Sequence, residues 1–381
     1  MRVVLTEIFN YNFQYIDKQM SPSDPSKNVS PSPIMQMATG FWVSKTLMSA
    51  VELGVFTKVA DYQNKSNTES IPLIEFQKMI GIKESRPAEA FTTALVSLGL
   101  LRVNKSDEGQ KTFSNTEVSS IFLDKNKPTY IGDVITMFNE RLYKRWDRLS
   151  EAIKTNKPVG EEEGEDIESI FDKAKSNQDE AERLQKFTHA MHGISVGPAM
   201  SLSKSVDFSN HRRMMDIGGG SGIYAIQVVA NNPNNMSAVV LDSKPVCQVA
   251  DQYIRQYNLQ GKVQTKVLDF FGDRLPNDCD VAFLSHVIHV FDRDKNINLL
   301  KKIHDSLPNE NGMIIISEWL LNDEKTGPIS SALMGLTMLI ENSGGRSYSY
   351  DEISDMLVEA GFKNIQKRPL IELAEIVIAY K

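Results

Sequence analysis

The chain has 381 residues, 41% of them apolar and 24% charged, with a formal net charge of -7. This is the composition of a soluble globular protein long enough for two domains, and the negative balance argues against a nucleic-acid-binding face. Two cysteines, Cys247 and Cys279, are too few for a disulfide framework or a Cys-based zinc site, and both sit in apolar surroundings as small core residues.

No apolar run reaches membrane-spanning length, and the first residues lack the apolar core of a signal peptide, so a cytoplasmic protein with no membrane contact is expected. Residues 1–20 offer Val4, Ile8, Phe9, Phe13 and Ile16 to one face of a short amphipathic helix. Residues 21–33, rich in Ser, Pro, Asn and Asp, predict a linker. Residues 35–53 carry Met37, Phe41, Val43, Leu47, Ala50 and Leu53 close to helical spacing, with a stop at Gly54.

Residues 71–103 predict a helix-turn-helix with a wing. The first helix is 72–80, with Pro72 in its first turn; the turn is 81–87; the second helix is 89–98; the wing strands are 100–103 and 111–113. Segment 89–98 has no Arg or Lys, so it lacks the commonest contacts to phosphate and guanine. A winged helix used for packing or dimerisation is expected rather than a DNA reader.

Residues 130–206 predict mostly helix: one segment over 146–153, a solvated acidic loop over 158–166, and an amphipathic helix over 179–191 that ends near Gly193. His189 and His192 stand three apart. Without a third ligand nearby, they suit a structural or substrate-pocket role better than a metal.

From Arg212 onward strands and helices alternate, as in a doubly wound α/β sheet. Strands are predicted at 214–217, 238–241, 263–268, 281–284 and 313–317, with a final hairpin of 364–369 and 374–380. Helices are predicted at 223–231, 246–257, 294–306 and 350–360. Between the first strand and first helix lies Asp216-Ile-Gly-Gly-Gly-Ser-Gly222. It is a strand, tight turn and helix whose glycines let backbone approach a ligand. The spacing misses the dinucleotide fingerprint, since Ile223 stands where the third glycine belongs.

Ligands of such sheets sit beyond the carboxyl ends of the strands. There the sequence places Asp216 with Gly218, Gly220 and Gly222, then Asp242, then Asp269 with Phe270, then Ser285 and His286-Val-Ile-His289, then Glu318-Trp319. Asp242 suits two ribose hydroxyls, Asp269 an adenine amino group and Phe270 the adenine ring. Acids at strand ends are often only helix caps, but together these residues fill every position of a nucleoside site.

The pattern resembles the first motif of class I S-adenosylmethionine (SAM) methyltransferases. From about Met35 to Lys381 the chain resembles small-molecule O-methyltransferases of the plant phenolic, hydroxyindole and bacterial polyketide type. The resemblance rests on the glycine segment, on Leu268-Asp-Phe-Phe-Gly-Asp-Arg-Leu-Pro276, on His289-Val-Phe291 at the catalytic His-Asp-Trp position with Asp292 and Asp294 after it, on Glu318, and on Gly344-Gly-Arg346.

It implies a Rossmann-like catalytic domain over 207–381 that takes SAM and releases S-adenosylhomocysteine. It also implies an extension over 1–33, a winged-helix dimerisation domain over 34–128 and a helical linker over 129–206. His289 is the implied base and Glu318 its support. His286 is the rival base, three residues earlier. Met191, His192, His286, Trp319, Met334, Met338 and Phe138 are the expected walls of an aromatic acceptor pocket. Phe41 and the N-terminal helix are implied to reach the partner's pocket in a homodimer. No metal and no nucleic acid are expected.

Three positions depart from the family pattern: Val290 for Asp, Phe291 for Trp, and Ser347 where plant enzymes carry a second acid. They leave methylation at N or C, or a non-methylating use of SAM, as alternatives within the fold. A metabolite-sensing winged-helix regulator is the alternative from another class, and an NAD-dependent enzyme is disfavoured by Ile223.

Overall fold

The computed structural model describes residues 30–105, 110–160, 166–371 and 374–381. The predicted helix over 1–20, most of the predicted linker and positions 161–165 of the acidic loop lie outside the described residues. The chain forms two compact units, Met1–Arg141 and Leu142–Lys381.

In the first unit, α1 (Ser32–Glu52) starts inside the stretch expected to be linker, with proline in its first turn. There the missing N–H costs nothing, because the first helical amides are unpaired anyway. Gly54, at φ +66°, ends it, but the chain re-enters helix at once as α2 (Val55–Ser66), which burial of Val55, Phe56 and Val59 sustains.

After β1 (Ile71–Pro72) and α3 (Leu73–Met79), α4 (Ser85–Ser97) begins four residues before the expected start at 89, taking Pro87 into its first turn. The helix therefore carries Arg86 at its exposed start, a correction to the cation-free segment expected. With β2 (Leu101–Lys105) and β3 (Lys111–Asn115) the wing becomes a three-stranded antiparallel sheet in the order β1-β3-β2. Phe56, Phe76, Leu95 and Phe113 meet in the core of this unit.

The second unit opens with α5 (Tyr143–Trp146) and α6 (Leu149–Thr155), so the single segment expected over 146–153 is broken after Trp146. Then come α7 (Ile167–Lys173), capped by the Asp166 carboxylate, and α8 (Gln178–Ser205). The last is the largest correction: the helix does not stop near Gly193 but runs 28 residues through Gly193 and Pro198. Packing of Ala199 and Leu202 into the core overrides the local signals that favour a stop.

The sheet follows the predicted alternation. Its strands are β4 (Arg213–Ile217), β5 (Ser237–Asp242), β6 (Val263–Val267), β7 (Val281–Ser285), β8 (Met313–Glu318), β9 (Lys363–Ile371) and β10 (Ala374–Tyr380). They lie in the order β6-β5-β4-β7-β8-β10-β9, parallel except that β10 runs antiparallel to β8 and β9. The switch point falls between β4 and β7, at the end of the glycine strand.

Both faces are covered, which explains the near-continuous apolar runs of the central strands. Met215, Leu284, Ile314 and Ile316 face one layer, with Leu300 and Ile303 of α9 (Arg293–Ser306) and Ile353 and Leu357 of α10 (Tyr350–Glu359). Met214, Phe283, Met313 and Ile315 face the other, with Tyr224 and Val228 of α11 (Ile223–Asn231), Ala250 of α12 (Lys244–Gln256) and Leu202 of α8.

Phe283 is fully buried in the central strand, its ring 4.7 Å from that of Tyr224. Phe283→Ala is expected to cost about 3–5 kcal/mol, read as a lower urea midpoint at unchanged slope for the transition of the second unit.

Candidate active site

The site is built where five parallel strands end. Asp216 lies near the end of β4 and is buried, and its Oδ2 has no hydrogen-bond partner among the described residues. Burial pushes its carboxyl up to about 7. The chain then turns through the glycines. The Gly218 N–H donates to Leu241 O at 2.9 Å, and Gly222 caps α11. A Cβ on Gly219 would lie 2.6 Å from Asp216 Cγ and 2.8 Å from Val240 Cγ1, so only glycine fits. Gly220, at φ +57°, donates its N–H to Asp242 Oδ2 at 3.0 Å. Asp242 Oδ1 accepts the Ser243 N–H at 2.7 Å, and burial pushes this carboxyl up to about 6 against those two hydrogen bonds.

These features suit SAM. Two buried carboxylates flank a backbone turn with no Cβ in the way, and one of their oxygens is an unpartnered acceptor. A cationic cofactor with a ribose supplies the charge and donors that such acids lack. Asp269, expected at adenine, is exposed after β6, and its Oδ1 already accepts the N–H groups of Phe271 and Gly272. Phe270 is half-buried, its ring centroid 5.0 Å from Phe271 and 6.2 Å from Phe291. Ser285 closes β7.

The second half of the site follows from strand register. Ser285 of β7 pairs with Ser317 of β8, so His286, the first residue past β7, stands beside Glu318, the last residue of β8. His286 takes φ +55° and donates its N–H to Ser317 O at 3.1 Å. A non-glycine residue in that region costs about 1–3 kcal/mol and persists where the surrounding structure holds it. The chain then makes a 3-10 turn, Ile288–Val290.

That turn brings His289 Nδ1 to 2.7 Å from Glu318 Oε2, while His286 Nδ1 stands 3.6 Å from the same oxygen. The His289 N–H also donates to Glu318 Oε1 at 3.3 Å. Burial by itself raises the Glu318 carboxyl, but the charges and hydrogen bonds of His289 and His286 outweigh it and hold the group far below the usual range. An ionised carboxylate only accepts hydrogen bonds, so Nδ1 of His289 carries a proton, and in the neutral form of the ring it is Nε2 that holds the lone pair.

The turn is braced from outside. Asn296 Nδ2 donates to Ile288 O at 2.8 Å and to Phe291 O at 3.1 Å, and the Tyr348 hydroxyl donates to Phe291 O at 2.8 Å. The Arg346 N–H donates to His289 O at 2.9 Å, and a Cβ on Gly345 would lie 2.8 Å from that same carbonyl oxygen. This explains the glycine at 345, and a Cβ on Gly344 would meet Asp292 Cβ at 3.1 Å. Asn296 and Tyr348 escaped the sequence reading because nothing in their spacing marks them.

The expected pocket walls are distributed as follows. Trp319 stands edge-on to His286, ring centroids 5.4 Å apart. Met334 and Met338 lie one turn apart on α13, the helix Ile329–Glu341, half-buried and buried respectively. Phe138 belongs to the first unit. Met191 is half-buried on α8. Next to it, His192 faces the glycine turn: its Nδ1 lies 2.9 Å from Ser221 Oγ, and its ring stacks on Tyr253 at 3.6 Å and 7°. His189 Nδ1 reaches the Tyr253 hydroxyl at 2.9 Å. Sequence singled out both histidines but not Ser221 or Tyr253. Both cysteines are buried, which pushes their thiols up to about 12.

A family profile for the O-methyltransferase domain matches residues 146–363, and one for the O-methyltransferase dimerisation domain matches residues 35–125. The chain belongs to the O-methyltransferase family. It is 32% identical over 342 residues to a 3-hydroxy-5-methyl-1-naphthoate 3-O-methyltransferase of Streptomyces sahachiroi, covering 90% of this chain and 92% of that one. It is 29% identical to the tetracenomycin polyketide synthesis 8-O-methyl transferase of Streptomyces glaucescens, covering 88% and 92%. The crystal structure of human N-acetylserotonin methyltransferase in complex with SAM superposes with a TM-score of 0.82 at 25% identity, covering 94% and 99%. This family member is thus a SAM-dependent O-methyltransferase with the Rossmann-like sheet and winged-helix unit expected.

Burial, with the neighbouring His189 adding to it, presses His192 down to about 4. The unfolded chain holds this proton more tightly, so His192 contributes stability that is fully present above about pH 6.5 and is lost as pH falls toward 4. His192→Asn is expected to flatten the stability profile over that window, measured as urea midpoints at pH 7 and 4.5 against wild type.

Proposed function

We propose that this enzyme methylates a hydroxyl of a phenolic or related aromatic small molecule, with His289 as general base and Glu318 as the group that orients it. The observation that carries the reading is the 2.7 Å contact between His289 Nδ1 and the buried Glu318 Oε2. When bound, SAM supplies a methyl group already activated by its sulfonium. The protein's task is alignment and removal of one proton. A phenolic hydroxyl ionises near pH 10, and a neutral imidazole is a suitable acceptor as the O–C bond forms. The proton passes to Nε2 of His289, and the imidazolium is stabilised by the Glu318 carboxylate at Nδ1.

Trp319, Met191, Met334 and Met338 supply apolar, polarisable wall suited to a flat ring. The relatives named above support an aromatic acceptor, since two are named for a naphthoate and N-acetylserotonin. Asp216, Asp242 and the glycines 218, 220 and 222 are assigned to the cofactor, with Asp269, Phe270 and Ser285 on its adenine side.

We further infer a homodimer. α1 exposes Ile34, Met35, Met37, Phe41, Trp42 and Val43, a larger run of apolar surface than a monomer normally leaves in water. It lies at the start of the segment that matches the dimerisation profile.

A mass-spectrometric screen of phenols, hydroxynaphthoates and hydroxyindoles with SAM tests the reaction. His289→Ala is expected to lower the rate about 10²–10⁴-fold while SAM affinity by calorimetry is kept. A His289→Ala enzyme that works at the wild-type rate would discard this base. Trp42→Glu is expected to shift the mass in multi-angle scattering from dimer to monomer, and an unchanged mass would remove α1 from the interface.

A further inference from the structure

We propose that His286, His289 and Glu318 form a binding site for a zinc-like divalent cation that switches the enzyme off. One nitrogen of each imidazole and one oxygen of the carboxylate lie within 4.8 Å of one another, the only such group of three among the described residues. Two imidazoles and one carboxylate, with a fourth position left for water, is a donor set that zinc takes readily. Tetrahedral zinc with bonds of about 2.0–2.1 Å sets its donors about 3.3 Å apart. The two contacts to Glu318 Oε2, 2.7 Å from His289 Nδ1 and 3.6 Å from His286 Nδ1, bracket that spacing.

The site is also reachable and held in place. His286 is the most open of the three side chains, 27% exposed against 11% for His289 and 5% for Glu318, so it forms the mouth. Its left-handed backbone, φ +55°, turns the chain at the end of β7 so that both rings reach one carboxylate from the same strand end.

The inhibitory consequence rests on the proposed role of His289. In the proton-accepting state Nδ1 bears the proton and donates it to Glu318. Zinc bound beside Glu318 takes the Nδ1 lone pair instead. The Nδ1 proton leaves to solvent and Nε2 takes one up from solvent, so the ring stays neutral with its single proton on Nε2. A protonated Nε2 accepts nothing, and Glu318 is occupied as well. The cation thus inverts the tautomer on which deprotonation of the acceptor depends. Magnesium, which prefers an all-oxygen shell, does not compete for these nitrogens.

The test uses the full-length protein and zinc chloride. Calorimetry is expected to show one zinc per chain and no binding of magnesium chloride. His286→Ala and Glu318→Gln are each expected to weaken zinc at least about 100-fold, because losing even an outer partner of a ligand costs 10–100-fold. Far-ultraviolet dichroism on both variants confirms folding. In the methyl-transfer assay zinc should inhibit wild type and a chelator restore it. His286→Ala, compared with its own rate without metal, should need at least about 100-fold more zinc.

Absence of stoichiometric binding, or equal binding in wild type and both variants, overturns the site. Equal zinc sensitivity of wild type and His286→Ala overturns the switch. Calorimetry does not require turnover, so zinc binding that is lost in the variants supports the site even if His289 proves not to be the base.

Discussion

A carboxylate buried at the end of a central strand stays ionised only if donors stand against it. Glu318 has two imidazoles on one oxygen and a backbone amide on the other. Desolvation opposes the charge, and these partners reverse the balance. The rest of the site depends on that outcome. With Glu318 ionised, the tautomer of His289 is decided, and with it which ring nitrogen is free to accept a proton. A neutral Glu318 would be a donor, and the imidazole would present the wrong edge.

The parallel sheet makes this arrangement inexpensive. Hydrogen bonding between β7 and β8 sets Ser285 opposite Ser317, and the next residue of each strand then emerges at the same edge. No loop has to be closed to bring His286 to Glu318. His289 does need a loop, and the short 3-10 turn is tied by Asn296, Tyr348, Arg346 and the close approach of Gly345. Asn296 is fully buried and spends its amide on two carbonyls of the turn, so the turn that carries His289, the proposed base, is held by buried groups outside the His–Glu contact.

Much of this was legible in sequence because strand ends in an α/β sheet are where chemistry collects. Asp216, Asp242, His289 and Glu318 each follow an apolar run, and the alternation of runs gave their order along the chain, while the order of the strands in the sheet came from the structure. What stayed hidden was tertiary in origin. Gly193 and Pro198 signal a helix end, yet α8 continues because Leu202 and Ala199 are buried beyond them. Pro87 signals a turn, yet a proline is also at home in a helix's first turn, so α4 starts early and includes Arg86. The pairing of His192 with Ser221 and Tyr253 joins three elements far apart in sequence, and no local pattern encodes it.

The departures from the family motif find physical reasons in the same geometry. Phe291, where Trp is usual, packs edge-on to Phe271 at 4.8 Å and belongs to an aromatic cluster with Phe270. A smaller ring suffices because Phe270 and Phe271 share the space, and Lys302 secures them by donating to both of their carbonyls. Val290 packs against the apolar layer of the sheet, so an Asp there would have to turn away from that layer or leave a charge unpaired. Ser347 donates its hydroxyl to Ser331 O at 2.6 Å and is buried, so it braces α13 rather than facing an acceptor. With no second acid at 290 or 347, the negative charge beside the two histidines is concentrated in Glu318. If His289 is the base, as proposed, the whole task of orienting it falls on one buried carboxylate.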